Sequence, residues 1–110
     1  MQWIEELDGN VIVCDAEGTI IYMNATAIRN YEKDGGSDLI GRNLMDCHNE
    51  NSRRKLQEIM TTHTKNVYTI EKLGRKKIIY QTPWMDGDIF KGIVELSLEI
   101  PFDMPHYKRD

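Results

Sequence analysis

Apolar and polar positions follow two periods along this chain, strand-like toward both ends and helix-like in the middle. Val11-Ile-Val-Cys14 and Thr19-Ile-Ile-Tyr-Met23 are rich in β-branched residues, which suit a pleated surface. Asp15-Ala-Glu-Gly18 between them has turn chemistry, since Asp can bond the turn backbone and Gly can close it. The pair predicts a hairpin. Asn24 stands where the period changes, and its side chain can accept from the free N–H groups of a helix over residues 25–31. Ala27, Ile28 and Tyr31 form the apolar side of that helix, and Lys33-Asp-Gly-Gly36 ends it. Ser37 can cap a single turn through Asp38-Leu-Ile40, closed by Gly41, with Leu44 and Met45 pointing inward from the loop beyond. A longer helix begins between Asn49 and Ser52, where Leu56, Ile59, Met60 and His63 recur at i, i+3, i+4, i+7.

The remainder reads as an antiparallel meander. One strand covers Asn66–Lys72, Leu73-Gly74 makes the turn, and residues 75–84 form the next strand. Met85-Asp-Gly-Asp88 is a second turn, followed by a long strand through Ile100. In that strand Val94, Leu96, Leu98 and Ile100 alternate with Glu95, Ser97 and Glu99, which predicts a buried apolar face and a polar one. Pro101 and Pro105 stop the pairing and leave a tail over 101–110. At the other end, Trp3, Ile4 and Leu7 have helical spacing but make only one or two turns, too few to be stable alone. Residues 1–8 therefore form a cap that must lie against something. The class is α+β: a five-stranded antiparallel sheet with short helices and one longer helix packed on one face, in a single domain over 1–110.

Composition narrows the functions. The 110 residues suit one core, and 40% hydrophobic with 29% charged residues is an ordinary globular balance that excludes disorder. A net charge of -4 removes the electrostatic footprint of a dedicated nucleic-acid binder. The local clusters Arg53-Arg-Lys55 and Arg75-Lys-Lys77 read as solvated faces. No stretch approaches the roughly 18 apolar residues of a membrane span, and the acidic start Met-Gln-Trp-Ile-Glu-Glu6 lacks the form of a signal peptide. Cys14 and Cys47, the only cysteines, have neither disulfide-framework nor zinc spacing, and read as reduced thiols of a cytoplasmic protein. Cys47-His48 does not make a nucleophile and base, because adjacent residues of an extended segment point opposite ways. No Ser–His–Asp spacing, phosphate loop or His-Glu-x-x-His pattern occurs, so no enzyme activity and no metal site are expected.

The order of elements, Asn24 followed by a helix, and Leu39-Ile-Gly-Arg42 ahead of the longer helix together resemble a PAS domain of bacterial signalling type, over residues from about 8 to about 100. The resemblance implies a small sensory and interaction fold whose helices wrap one face of a curved sheet and leave room for a pocket. Leu56, Ile59, Met60 and His63 of the longer helix, Ile28, Tyr31, Leu44 and Met45 of the wall, and Tyr80, Thr82 and Trp84 of one strand face are the expected lining. Two readings of these residues stand: a small-molecule site, or a core simply filled by side chains. It also implies a homodimer with Trp3, Ile4 and Leu7 at or near the interface, and a regulatory protein partner or a longer parent protein to carry the output. Gly41-Arg-Asn43 is similar to the start of the flavin-binding light-oxygen-voltage motif, but Leu44 stands in place of its reactive cysteine, so flavin photochemistry is not expected. Haem-binding members place an axial histidine on or near the longer helix, which makes His63 and His48 possible ligands and His106 a weaker one. No cofactor follows from these residues.

Overall fold

The computed structural model of the chain describes residues 2–110, apart from the Cys47 side chain, so the expected quiet thiol of Cys47 lies outside the described residues. Strands β1 (Asn10–Asp15), β2 (Ile20–Met23), β3 (Asn66–Lys72), β4 (Arg75–Asp86) and β5 (Ile89–Ile100) form one antiparallel sheet in the order β2-β1-β5-β4-β3. Helices α1 (Ala25–Asn30) and α2 (Glu50–Thr62) lie between β2 and β3 in sequence. Asn24 and Asn49 cap them as polar residues should, accepting from the backbone N–H groups of Ala27 and Ser52. The β4–β5 turn is tighter than expected: both strands extend until only Gly87 and Asp88 remain between them. Such two-residue loops match the twist of the strands they join.

The middle of the chain is more finely divided than its periodicity predicts. Three 3₁₀ turns, Glu32–Asp34, Gly36–Leu39 and Leu44–Cys47, stand where one turn was expected. The Gly41–Leu44 stretch is strapped along the free edge of β2. Ile20 N–H donates to the Arg42 carbonyl at 2.8 Å, Gly41 N–H to the Ile20 carbonyl at 2.8 Å, and Leu44 N–H to the Gly18 carbonyl at 2.7 Å. Asn43 locks the strap by donating from Nδ2 to the Glu17 carbonyl and accepting at Oδ1 from Met45 N–H.

The register decides which strand face meets the helices. Ile12 pairs with Glu95 and Cys14 with Ile93. Ile12, Cys14 and Ile93 share one buried cluster with Ala27, Leu56 and Ile59. Glu95 and its strand neighbours at every second position therefore face the helices. Val94, Leu96, Leu98 and Ile100 face the other way, together with Val11 and Val13 of β1 and Ile78, Tyr80 and Thr82 of β4. The expectation for β5 is corrected here. Its apolar row is half-buried on the open face, and its polar row lies on the covered one. Alternation reports that two faces differ, but not which of them a helix covers.

Two close contacts hold the sheet to its surroundings. Asn24 is fully buried. Its Oδ1 accepts from Val11 and Ala27 N–H, and its Nδ2 donates to the Ile4 and Gly9 carbonyls. One side chain thus joins the N-terminal turn, β1 and α1, with every polar site satisfied. At Gly92, φ is 154° and an added Cβ would lie 1.9 Å from the Cys14 carbonyl oxygen, so only glycine lets β1 and β5 approach here.

Candidate ligand cavity

A cavity of about 360 Å³ lies between the covered sheet face and the irregular segment 31–48. That is near the lower end of small-molecule sites, roughly 300–1,000 Å³. Ile12, Ile20 and Met23 supply its floor from β1 and β2, and Leu39 and Leu44 close the apolar wall. Tyr31, Asp34, Arg42, His48 and Glu95 add polar groups. Each is placed by a feature already described: Tyr31 by the end of α1, Asp34 by the first 3₁₀ turn, Arg42 and Leu44 by the strap on β2, and Glu95 by the register of β5.

Glu95 is held from within the sheet. Asn66 Nδ2 donates to Gln81 Oε1 at 2.9 Å, which leaves Gln81 Nε2 to donate to Glu95 Oε1 at 2.7 Å. Gln81 is only 3% exposed, and a buried amide without partners would cost about 1–3 kcal/mol. The row Asn66–Gln81–Glu95 therefore reads as a satisfied polar chain across β3, β4 and β5. It runs from an open groove of about 310 Å³ between α2 and β3, which Asn66, Tyr68 and Gln81 help to line, to the main cavity. Burial raises the pKa of the Tyr31 hydroxyl, with the negative charges of Glu95 and Asp34 adding to it. Tyr68 is raised in the same way, by burial and then by Glu95. His48 Nδ1 lies 2.7 Å from the Leu44 carbonyl. A carbonyl only accepts, so Nδ1 carries the proton in this contact.

The residues expected to line a pocket are distributed more widely. Tyr31 and Leu44 are on the cavity wall. Leu56 and Ile59 are each 1% exposed and belong to the packed cluster, with Ile28, Met45 and Met60 partly buried against it. His63 lies past the last turn of α2 in the left-handed conformation, exposed, with its ring stacked on Phe90 at 4.7 Å. Tyr80, Thr82 and Trp84 project from the open face of β4. The lining that sequence reasoning missed consists of Ile12, Ile20, Met23, Asp34, Leu39, Arg42, His48 and Glu95. One signal pointed to Glu95: a carboxylate in a β-rich run, flanked by Val94 and Leu96, whose face was assigned from polarity alone.

Among the described residues no group of three or more His, Cys, Asp or Glu could hold a metal ion. Of the histidines weighed as haem ligands, His48 lines the cavity, whereas His63 and His106 do not. No helix among the described residues is long and apolar enough to cross a membrane.

The N-terminal segment is fastened to its own chain. Glu5 accepts from Ala25 N–H at Oε1 and from the Tyr22 hydroxyl at Oε2. Thr26 Oγ1 donates to the Leu7 carbonyl at 2.7 Å. Ile4 and Leu7 are half-buried, whereas Trp3 remains 60% exposed.

Comparison with known proteins agrees with this architecture. The family model described as PAS domain matches residues 8–83. No curated protein matches the chain significantly. Among solved structures, it is similar to a C-terminal domain from Streptococcus mutans at 16% identity and a TM-score of 0.70, covering 87% of this chain and 78% of that one. It is similar to the Aer2 receptor from Vibrio cholerae, described as a dual PAS-heme oxygen sensor, at 15% identity and a TM-score of 0.62, covering 84% and 95%. The PAS domain of BvgS from Bordetella pertussis aligns at 18% identity and a TM-score of 0.58, covering 89% and 81%. At such identities the likeness concerns the fold.

Proposed function

Since this chain belongs to the PAS domain family, we propose that it is a sensory module of a signalling system that binds a small molecule in the cavity beneath its irregular segment. The observation that carries this reading is the cavity itself: about 360 Å³ of space with apolar walls and several polar groups, beneath the helices on the covered face of the sheet. A bound molecule would touch β1, β2 and β5 on one side and the Tyr31–His48 segment on the other. Occupancy then biases the packing of that segment on the sheet, and the change passes to a partner through the sheet or a dimer contact. No catalytic step is assigned to it.

A second reading, a dimerisation or protein-interaction module, is favoured by a separate observation. The open face of the sheet is an apolar row on each of β1, β4 and β5, and Trp3 stands exposed near one edge. Apolar patches of this kind mark contacts. A homodimer with Trp3 at its interface and ligand control of that contact would combine the two readings.

Native mass spectrometry of freshly purified protein tests the first. The expected result is a bound small-molecule mass in the wild type that is lost in Leu44→Trp, where an indole fills the cavity, while circular dichroism is retained. A wild-type protein that carries no added mass, and whose melting temperature does not change across a metabolite library, would refute the sensory reading and leave the interaction module.

A further inference from the structure

On the premise that the cavity is a ligand site, we infer that it takes a compact organic amine, whose N–H groups meet Glu95 at one end of the cavity and whose apolar body lies against Ile12, Ile20 and Leu44. Two of the five polar groups lining the cavity, Asp34 and Glu95, are carboxylates. Glu95 Oε1 takes the Gln81 amide, and its other oxygen takes no hydrogen bond from the described residues. The orientation of the Gln81 amide is fixed by Asn66 behind it, so the sheet supplies one donor and no more. An ionised carboxylate offers about four lone-pair sites, and most of those of Glu95 are left for a ligand.

The remaining groups point the same way. The carboxylate of Asp34 takes no ion pair or side-chain hydrogen bond among the described residues. His48 commits its Nδ1 proton to the Leu44 carbonyl and so has one ring nitrogen left for a ligand. The Tyr31 hydroxyl, half-buried, has no hydrogen-bond partner among the described residues and can accept or donate. Among the described residues lining the cavity, Arg42 is the one guanidinium or ammonium, and it is exposed, as is Asp34. A ligand carboxylate placed beside Glu95 would meet a like charge there. An ammonium there makes charge-assisted hydrogen bonds, which are about twice as strong as neutral ones. Size sets the other limit. At about 30 Å³ per water, the cavity has the volume of about a dozen waters, which suits a molecule of about a dozen non-hydrogen atoms or fewer.

Three probes of one shape separate charge from fit: 2-phenylethylamine, 2-phenylethanol and phenylacetate. Isothermal titration on the whole chain should show the amine binding about tenfold or more tightly than the alcohol, and the acid most weakly. Glu95→Gln keeps an oxygen to accept from Gln81 but removes the charge. It should weaken the amine about tenfold and leave the alcohol nearly unchanged. NMR shift changes on adding the amine should centre on Tyr31 and His48. If the alcohol or the acid binds as tightly as the amine, or Glu95→Gln leaves amine affinity intact, the amine is overturned while the cavity remains a ligand site. If none of the three binds or shifts any cavity resonance at millimolar concentration, the amine is overturned, and the ligand-site reading is decided separately by the mass-spectrometric test above.

Discussion

The two faces of the sheet differ in a way that the polarity of β5 alone does not predict. The face covered by helices carries Gln81, Glu95 and Ser97 among its apolar residues. The open face carries Ile78, Tyr80, Val94, Leu96 and Leu98, all half-buried. Burial of polar groups is costly unless each finds a partner, and the covered face meets that condition through the Asn66–Gln81–Glu95 chain. A core selected only for stability would place apolar side chains at the Gln81 and Glu95 positions as well, since burying a large aliphatic side chain stabilises by about 1.5–3 kcal/mol. The polar row on the covered face is consistent with a site beneath the helices. The apolar row on the open face is consistent with a contact made by another surface.

The largest expected effect tests the covered face as a core. Leu56→Ala removes a side chain that is 1% exposed, and should cost about 3 kcal/mol in urea denaturation, within the range for buried leucines. The matching truncation on the open face, Leu96→Ala, should cost about 1 kcal/mol in dilute protein, because that side chain is only half-buried. Equal losses measured under conditions where the protein is monomeric would mean that the open face is part of the core, and the contrast would disappear.

An intermediate effect sharpens the contrast at its polar centre. Gln81→Leu leaves both Glu95 and Asn66 without their partner, and should destabilise by about 2 kcal/mol. Adding Glu95→Leu and Asn66→Val removes the groups that were left unpaired. Stability should recover much of the loss, since replacing all partners by apolar groups is close to neutral. A neutral Gln81→Leu would show that the chain of amides contributes nothing to the covered face.

A smaller change in stability, with a larger change in assembly, is expected on the open side. Trp3→Glu places a charge at a position that is 60% exposed, so the fold should lose no more than about 0.5 kcal/mol. If the open face and Trp3 form a homodimer contact, sedimentation equilibrium should show a shift toward monomer. A wild-type protein that stays monomeric at high micromolar concentration would leave Trp3 a solvent-exposed residue of an intramolecular turn.

These contrasts explain what was legible in the sequence. The fold was, because strand and helix periods, the caps at Asn24 and Asn49 and the glycine turns are local signals, and the observed elements follow them closely. The cavity wall was not. Its residues beyond the sheet come from the irregular segment 31–48, which has no period of its own and is held to the sheet by the strap of Gly41–Leu44 on β2. Periodicity on α2 identified Leu56 and Ile59 as inward-facing, but inward meant the packed cluster. The face of β5 was misassigned because polarity was taken as a measure of exposure, and Glu95 is the residue for which that assumption fails.

The smallest effect concerns the edge where the two faces meet, at the N-terminal turn. The hydrogen bond to Glu5 pushes the Tyr22 hydroxyl up to about 12, with burial and the carboxylate charge adding to it. A raised pKa means that the folded state favours the protonated phenol. That contribution is fully present below the usual tyrosine value of about 10 and is lost as pH rises through about 12. Between those values the unfolded chain gives up the Tyr22 proton before the folded one does, so stability falls with pH across that window. Tyr22→Phe removes both the hydroxyl and the dependence, and its stability profile between pH 10 and 12 should be flatter than that of the wild type by a small margin. Above about pH 12 the phenolate would face Glu5, and the indole fluorescence of Trp3 should report release of the turn in the wild type. In Tyr22→Phe the Glu5 bond to Ala25 N–H remains, so no such step is expected at that pH. Identical pH profiles for the two proteins would show that the Tyr22–Glu5 bond does not hold the N-terminal turn to the edge of the sheet.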